Sequence, residues 1–206
     1  MANKKVLITG SCGFIFGNFL RKAVYEKQPY QLVSIDRVNK NAINSMYWNK
    51  NHTFHVADIQ NQHIIDTIFQ FEKPNIVIHG AAETSVDESL VNSNSYINSN
   101  VLGTQVIINA CVKHNVEKLV YISSDQVYGQ LTDENKSWVE TDCLNPRNPY
   151  SSSKAAAELF VKAAYESYGL KYNIARLSNN YGPRQTSDKL IPKVIKCILE
   201  NKKIPL

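Results

Sequence analysis

Six short runs of mostly β-branched, aliphatic and aromatic residues recur along the chain, each separated from the next by a longer stretch. They are Val6-Leu7-Ile8, Leu32-Val33-Ser34-Ile35, Phe54-His55-Val56, Ile76-Val77-Ile78, Leu119-Val120-Tyr121-Ile122 and Ile174-Ala175-Arg176-Leu177. Near-continuous apolar runs of this length suit strands buried on both faces, which is the habit of parallel sheets. Amphipathic periodicity predicts helices over 14–27, 62–72, 93–114 and 150–168, and another from 188 to 200. Strands alternating with helices read as an α/β architecture: a doubly wound, mostly parallel sheet with helices on both faces. At 206 residues the chain accommodates one such domain and would be crowded by a second complete one.

Composition narrows the functional classes. The 43% hydrophobic and 20% charged fractions are those of an ordinary globular chain, and neither a membrane-length apolar run nor a signal-peptide pattern opens it, so a cytoplasmic location is expected. Lys and Arg number 23 against 18 Asp and Glu, a formal charge of +5 that would help attract a polyanion of any kind. The positive residues are scattered rather than striped, which argues against nucleic acid. Cys12, Cys111, Cys143 and Cys197 share no metal-ligand or disulfide spacing, so no metal is expected and the thiols read as reduced and mostly buried.

In doubly wound sheets ligands lie beyond the carboxyl ends of the strands, so the residues after each run carry the information. The first run leads into Thr9-Gly10-Ser11-Cys12-Gly13-Phe14-Ile15-Phe16-Gly17. Gly10 permits a tight turn, and Gly13 permits close approach of the backbone to a pyrophosphate held at the helix N-terminus. Phe16 departs from the usual spacing, because it occupies a third position where glycine normally lets helix and strand pack closely; its bulk is expected to displace the first helix. Asp36 ends the second run, 26 positions after Gly10. A carboxylate there can accept hydrogen bonds from ribose hydroxyls and repel a 2′-phosphate, favouring NAD, whereas the adjacent Arg37 keeps NADP open. Such an Asp also serves commonly as a turn or cap residue.

Tyr150 and Lys154 fall four apart on one helical face, in Tyr150-Ser151-Ser152-Ser153-Lys154. A phenol ionises near pH ~10, and using it as a base at neutrality requires roughly 4 kcal/mol of differential stabilisation, for which an ammonium one turn away is suited. Ser124 could hydrogen-bond the oxygen that Tyr150 deprotonates, and Asp125 could act as an acid. Between 130 and 149 the sequence is polar, holds Pro146 and Pro149 and lacks a period, so it reads as a long surface loop.

Together these segments resemble the extended short-chain dehydrogenase/reductases, and in particular the dTDP- or UDP-glucose 4,6-dehydratases. The resemblance runs through Thr9 to Gly17, Asp58-Ile59, His79 to Asp87, Asn100 to Thr104, Asn148-Pro149-Tyr150 with Lys154, and Ser178 to Pro183 followed by Lys189 to Pro192. It implies a Rossmann-type NAD-binding domain over 1–178 and the beginning of a nucleotide-sugar-binding domain over 179–206, which in the family continues for roughly a hundred more residues. It implies that Phe14, Ile15, Asp36, Asp58, Ile59, Ala81, Ala82, Ser99, Tyr150, Lys154 and Asn180 line NAD, and that Thr84, Asn179, Lys189 and Leu190 touch the sugar nucleotide. Under the same resemblance Tyr150 takes the C4 hydroxyl proton, and water then leaves across C5 and C6. The family's base for C5 is a glutamate, where this chain has Gln126, and losing a positioned base typically costs 10²- to 10⁴-fold. The expected activity is therefore an NAD-dependent nucleotide-sugar 4,6-dehydratase, attenuated by Gln126. A nucleotide-sugar epimerase, which needs no C5 base, and a non-catalytic NAD-binding protein are the alternatives. A homodimer is expected through the helices near 93–114 and 150–168, where Ala155, Ala156, Ala157, Ala163 and Ala164 offer small residues; in the other reading these alanines pack the helix on its own sheet.

Overall fold

A computed structural model of the chain describes residues 4–25, 29–38, 52–131 and 136–204. Its strands are β1 (Lys5–Thr9), β2 (Gln31–Asp36), β3 (His52–Val56), β4 (Ile76–His79), β5 (Lys118–Ser124) and β6 (Tyr172–Leu177). Each contains one of the six runs. They form one sheet in the order β3-β2-β1-β4-β5-β6, and every neighbouring pair is parallel. This is a Rossmann-type sheet, whose order reverses between β1 and β4 and opens a crevice above their carboxyl ends.

The two faces are covered by different helices, as strand alternation requires. Leu7, Val33, Ile35, Val77, Leu119 and Tyr121 point into a large core shared with α2 (Gln62–Glu72), α5 (Gly103–Lys113) and α6 (Pro149–Tyr168). On the other face Val6, Ile8 and Leu32 pack against Phe16, Leu20 and Ala23 of α1 (Phe14–Tyr25). The predicted end of α1 at 26–27 lies outside the described residues. A final amphipathic helix, α7 (Leu190–Leu199), has no buried residue and starts two positions later than its sequence pattern suggests.

The predicted helix over 93–114 is not uniform. It comprises α4 (Ser93–Tyr96), a π-helical segment Ile97–Leu102 and α5. A π turn admits one extra residue and alters which side chains face inward; here Ser99 and Asn100 are buried. Ahead of it stands an unexpected short helix, α3 (Val86–Val91), whose N-cap Ser85 accepts a hydrogen bond from the Glu88 N–H. β5 runs into a 3-10 turn, Asp125–Tyr128. Among the described residues no helix is long and apolar enough to cross a membrane, and no group of His, Cys, Asp or Glu could hold a metal ion. All four cysteines are free; Cys12 and Cys111 are buried, but Cys143 is exposed and Cys197 partly so.

Candidate functional site

The turn after β1 is built by contacts that few residues other than glycine permit. Gly10 has φ +77°, and a Cβ there would lie 2.7 Å from the Ala81 backbone nitrogen and 2.9 Å from its Cα. The ends of β1 and β4 therefore touch through bare backbone. Gly10 N–H donates to Ile35 C=O, and Gly13 N–H returns to Gly10 C=O, closing the turn ahead of α1. Asp36 Oδ2 accepts from the Cys12 N–H at 2.7 Å, so the carboxylate ending β2 braces the same turn. Burial pushes the Asp36 carboxyl up to about 6, against the pull of the Cys12 and Arg37 backbone N–H groups and the Arg37 charge. Ser11 Oγ is buried without a hydrogen-bond partner, a polar group at the turn that an anionic oxygen would satisfy. This arrangement fits a dinucleotide: a φ-positive glycine, a helix N-terminus following the turn and a carboxylate at the neighbouring strand end.

Phe16 does not stand in that turn. Its side chain is 7% exposed and joins the α1 core, and the ring lies over Gly80, where a Cβ would overlap a ring carbon. The bulk expected to displace α1 is taken up by the missing side chain at position 80.

Behind the crevice a hydrogen-bonded chain crosses the switch point. Thr104 Oγ1 donates to Asn100 C=O, so His79 Nε2 must donate to Thr104 at 3.0 Å, leaving Nδ1 to accept from Thr9 Oγ1 at 2.6 Å. Thr9 Oγ1 in turn accepts from the Gly80 and Ala81 N–H groups. Burial, and then the charge of Lys154, hold His79 down at about 3, which keeps it neutral in this network. Asn100, 1% exposed, clasps the loop after β4 by accepting from Glu83 N–H and donating to Glu83 C=O, and its amide also reaches Ser153 on α6. The sequence offered Asn100 only as part of a resembling segment; its π-helical setting leaves no periodic signal.

α6 begins in a capping box between Asn148 and Ser151 with Pro149 at its first turn, which fixes where Tyr150 enters. Tyr150 is 9% and Lys154 4% exposed. Burial pushes the phenol up, a hydrogen bond with Ser124 opposes this, and the Asp125 charge adds to the rise. Lys154 is not among the groups that lower it in the free protein. Burial instead brings Lys154 down to about 7, opposed by the charge of Glu158, while its ammonium sits 4.4 Å from the centre of the Tyr121 ring. The Asp125–Tyr128 turn faces this helix: Ser124 Oγ donates to Asp125 Oδ1 and accepts from Gln126 N–H, and Gln126 Oε1 accepts from Asn148 Nδ2 at 3.4 Å.

Glu158 and Arg176 were not singled out in the sequence, yet they lie just below this pair. Glu158 is fully buried, and Arg176 grips both its oxygens through Nε at 3.1 and 3.2 Å and through Nη2 at 2.8 Å. Arg176 also donates to Tyr128 Oη at 2.6 Å and to Glu140 C=O.

The remaining sequence candidates are distributed along the same carboxyl edge. Ala81 and Ala82 are half-buried after β4, Ser99 is buried on the π turn, and Ile15 is exposed on α1. The Ile59 side chain is turned into the core, close to Gly103. Phe14 approaches Gly182, and Asn18 of α1 donates to Pro183 C=O, so the loop after β6 closes on the start of α1. Arg37 pairs with Asp58 and Glu83. Thr84, Asn179, Asn180 and Leu190 are exposed, and Lys189 pairs with Asp188. No hydrogen bond or ion pair links Thr84, Asn179, Lys189 or Leu190 to the Tyr150 group among the described residues.

Comparison with known proteins bears on these features. The chain is 39% identical over 204 residues to a dTDP-D-glucose 4,6-dehydratase of Mus musculus, covering 97% of this chain and 57% of that protein. A crystal structure of dTDP-glucose 4,6-dehydratase from Bacillus anthracis in complex with NAD superposes with TM-score 0.87 at 33% identity, covering 98% of this chain and 64% of that one. The UDP-glucose 4-epimerase of Thermus thermophilus, also solved with NAD, gives TM-score 0.80 at 30% identity over 89% of this chain and 58% of that one. This chain thus spans less than two thirds of these relatives. The sequence model of the NAD dependent epimerase/dehydratase family matches residues 6–206, and the chain belongs to that family.

Proposed function

We propose that residues 1–178 bind NAD and carry the acid–base groups of a nucleotide-sugar 4,6-dehydratase acting on dTDP- or UDP-glucose, and that 179–206 begin its nucleotide-sugar-binding part. The observation that carries this reading is the buried Tyr150 and Lys154 pair on α6, with Tyr150 hydrogen-bonded to Ser124 at the Ser124-Asp125-Gln126 turn, on a sheet whose β1 and β4 ends meet at Gly10 and Ala81. Bound NAD supplies a hydride acceptor that can give back what it takes, so the net reaction can be an elimination.

In this reading Tyr150 removes the proton of the sugar C4 hydroxyl, with Ser124 hydrogen-bonding the same oxygen. Lys154 carries the positive charge that favours the phenolate, and Glu158 helps that ammonium stay protonated near neutrality. Asp125 serves as the acid toward the departing C6 hydroxyl. Gln126 stands where a base for C5 is needed, but a neutral amide cannot take that proton, which slows elimination by roughly 10²- to 10⁴-fold, about 3 to 5 kcal/mol. Thr84, Asn179, Lys189 and Leu190, on the segments beside the crevice, contact the sugar nucleotide. The protein acts as a homodimer.

The test is direct. Purified protein with NAD and dTDP- or UDP-glucose should give a 4-keto-6-deoxy sugar slowly, and Gln126→Glu should raise that rate by about 10²-fold or more. Gln126 also favours a second reading, a C4 epimerase, whose chemistry requires no C5 base. A C4 epimer formed without water loss, and unaffected by Gln126→Glu, establishes that alternative and ends the first.

A further inference from the structure

Two carboxylates pair with one guanidinium where β2 meets the crevice, and a third precedes it in the chain. Arg37, next to the Asp36 carboxylate, reaches Asp58 at the end of β3 with Nη1 at 3.6 Å from Oδ2, and its Nη2 is paired with Glu83 on the loop after β4. Both partners are held from behind. Asp58 Oδ1 accepts from Gln60 N–H at 2.9 Å, and Glu83 is fixed on both sides of its peptide by the buried Asn100 amide, at 2.8 and 3.0 Å.

NADP differs from NAD by a phosphate on the adenosine 2′-oxygen, close to the group that the carboxylate ending β2 would engage. An arginine beside that carboxylate is the cation best suited to a phosphate, through its planar fork of donors. In this chain that fork is already committed to Glu83 and Asp58. Counting Asp36, the described residues here set three acids against one base, so among them a 2′-phosphate meets net negative charge and an occupied guanidinium.

We propose that Glu83, positioned by Asn100, is a cofactor-selectivity residue: by holding Arg37 it denies that arginine to a 2′-phosphate and sets the chain for NAD. This rests on the NAD site proposed above and adds a determinant beyond Asp36. Asp36 excludes the phosphate by its own charge, whereas Glu83 acts through its partner.

Calorimetric titration of the full chain with NAD and with NADP, at low ionic strength, tests this without relying on turnover. Glu83→Gln should tighten NADP about threefold to fivefold, the upper scale of one exposed charge pair, and leave NAD within about 1.5-fold. Adding Arg37→Ala should remove the gain, and about 0.5 M salt should shrink it. Glu83→Ala, tested alongside, should move NADP in the same direction. If Glu83→Gln leaves the NADP-to-NAD ratio unchanged, or if the gain survives loss of Arg37, the proposal is overturned. Wild-type protein that binds neither nucleotide overturns it together with the NAD site itself, a result seen before any variant is made.

Discussion

Phe16 and Gly80 form a matched pair of abnormal sizes. A phenylalanine holds the sequence position that usually carries the third glycine, and a glycine stands where any Cβ would strike its ring. Gly80→Ala should therefore destabilise the protein by about 1–3 kcal/mol through overpacking, and Phe16→Ala by about 3–5 kcal/mol through loss of a buried ring. Combined, they should cost less than the sum by at least about 1 kcal/mol, read from urea unfolding of the four proteins of the cycle. Strict additivity would mean that the two side chains do not share this space. The sequence made Phe16 conspicuous but could not supply its partner, because the compensation joins the first helix to the end of β4, 64 positions along the chain. Gly10 and Gly13, and Tyr150 and Lys154, stood out for the opposite reason: each pair is close in sequence, while Asp36 is marked by the strand run it ends.

Among the elements, α6 is fixed to the sheet by charge as well as by packing. The buried Glu158–Arg176 pair ties the helix that carries Tyr150 and Lys154 to β6, and Arg176 extends the tie to the Asp125–Tyr128 turn through Tyr128. Tyr128 in turn stacks on Trp138 with ring centres 5.3 Å apart, holding part of the loop that the sequence left without structure. Removing one partner leaves an uncompensated charge in the interior, so Arg176→Met should cost about 3–5 kcal/mol. Glu158→Leu together with Arg176→Met should be less damaging than Arg176→Met alone, measured as a urea midpoint. The strands were visible in the sequence because burial on both faces makes near-continuous apolar runs. α3 and the π turn were not, since a six-residue helix spans too few turns to show a period and an extra residue shifts the helical phase.

Across the whole molecule, the small residues of α6 divide: three face its own core, while Ala156 is half-buried and Ala163 exposed. Ala155, Ala157 and Ala164 are buried within the chain, and the outer side of the helix presents Leu159 and Phe160 at 60% and 46% exposure. Neighbouring helical segments that contact α6 add Leu90, Val91, Ile97 and Leu102, all exposed. This surface is the proposed dimer face. Sedimentation velocity should give a dimer, and Leu159→Glu with Phe160→Glu should weaken it at least about tenfold, since charges replace apolar contacts; a monomer at every concentration of the unaltered protein would refute the assignment. The order of the strands also dictates a timetable for synthesis. β1 lies mid-sheet, yet Thr9 meets its partner His79 only across 70 positions of chain. A ribosome must extrude all of that before the first strand gains its second neighbour, so one edge of β1 stays bare while the nascent chain lengthens, and the crevice cannot exist until β4 arrives.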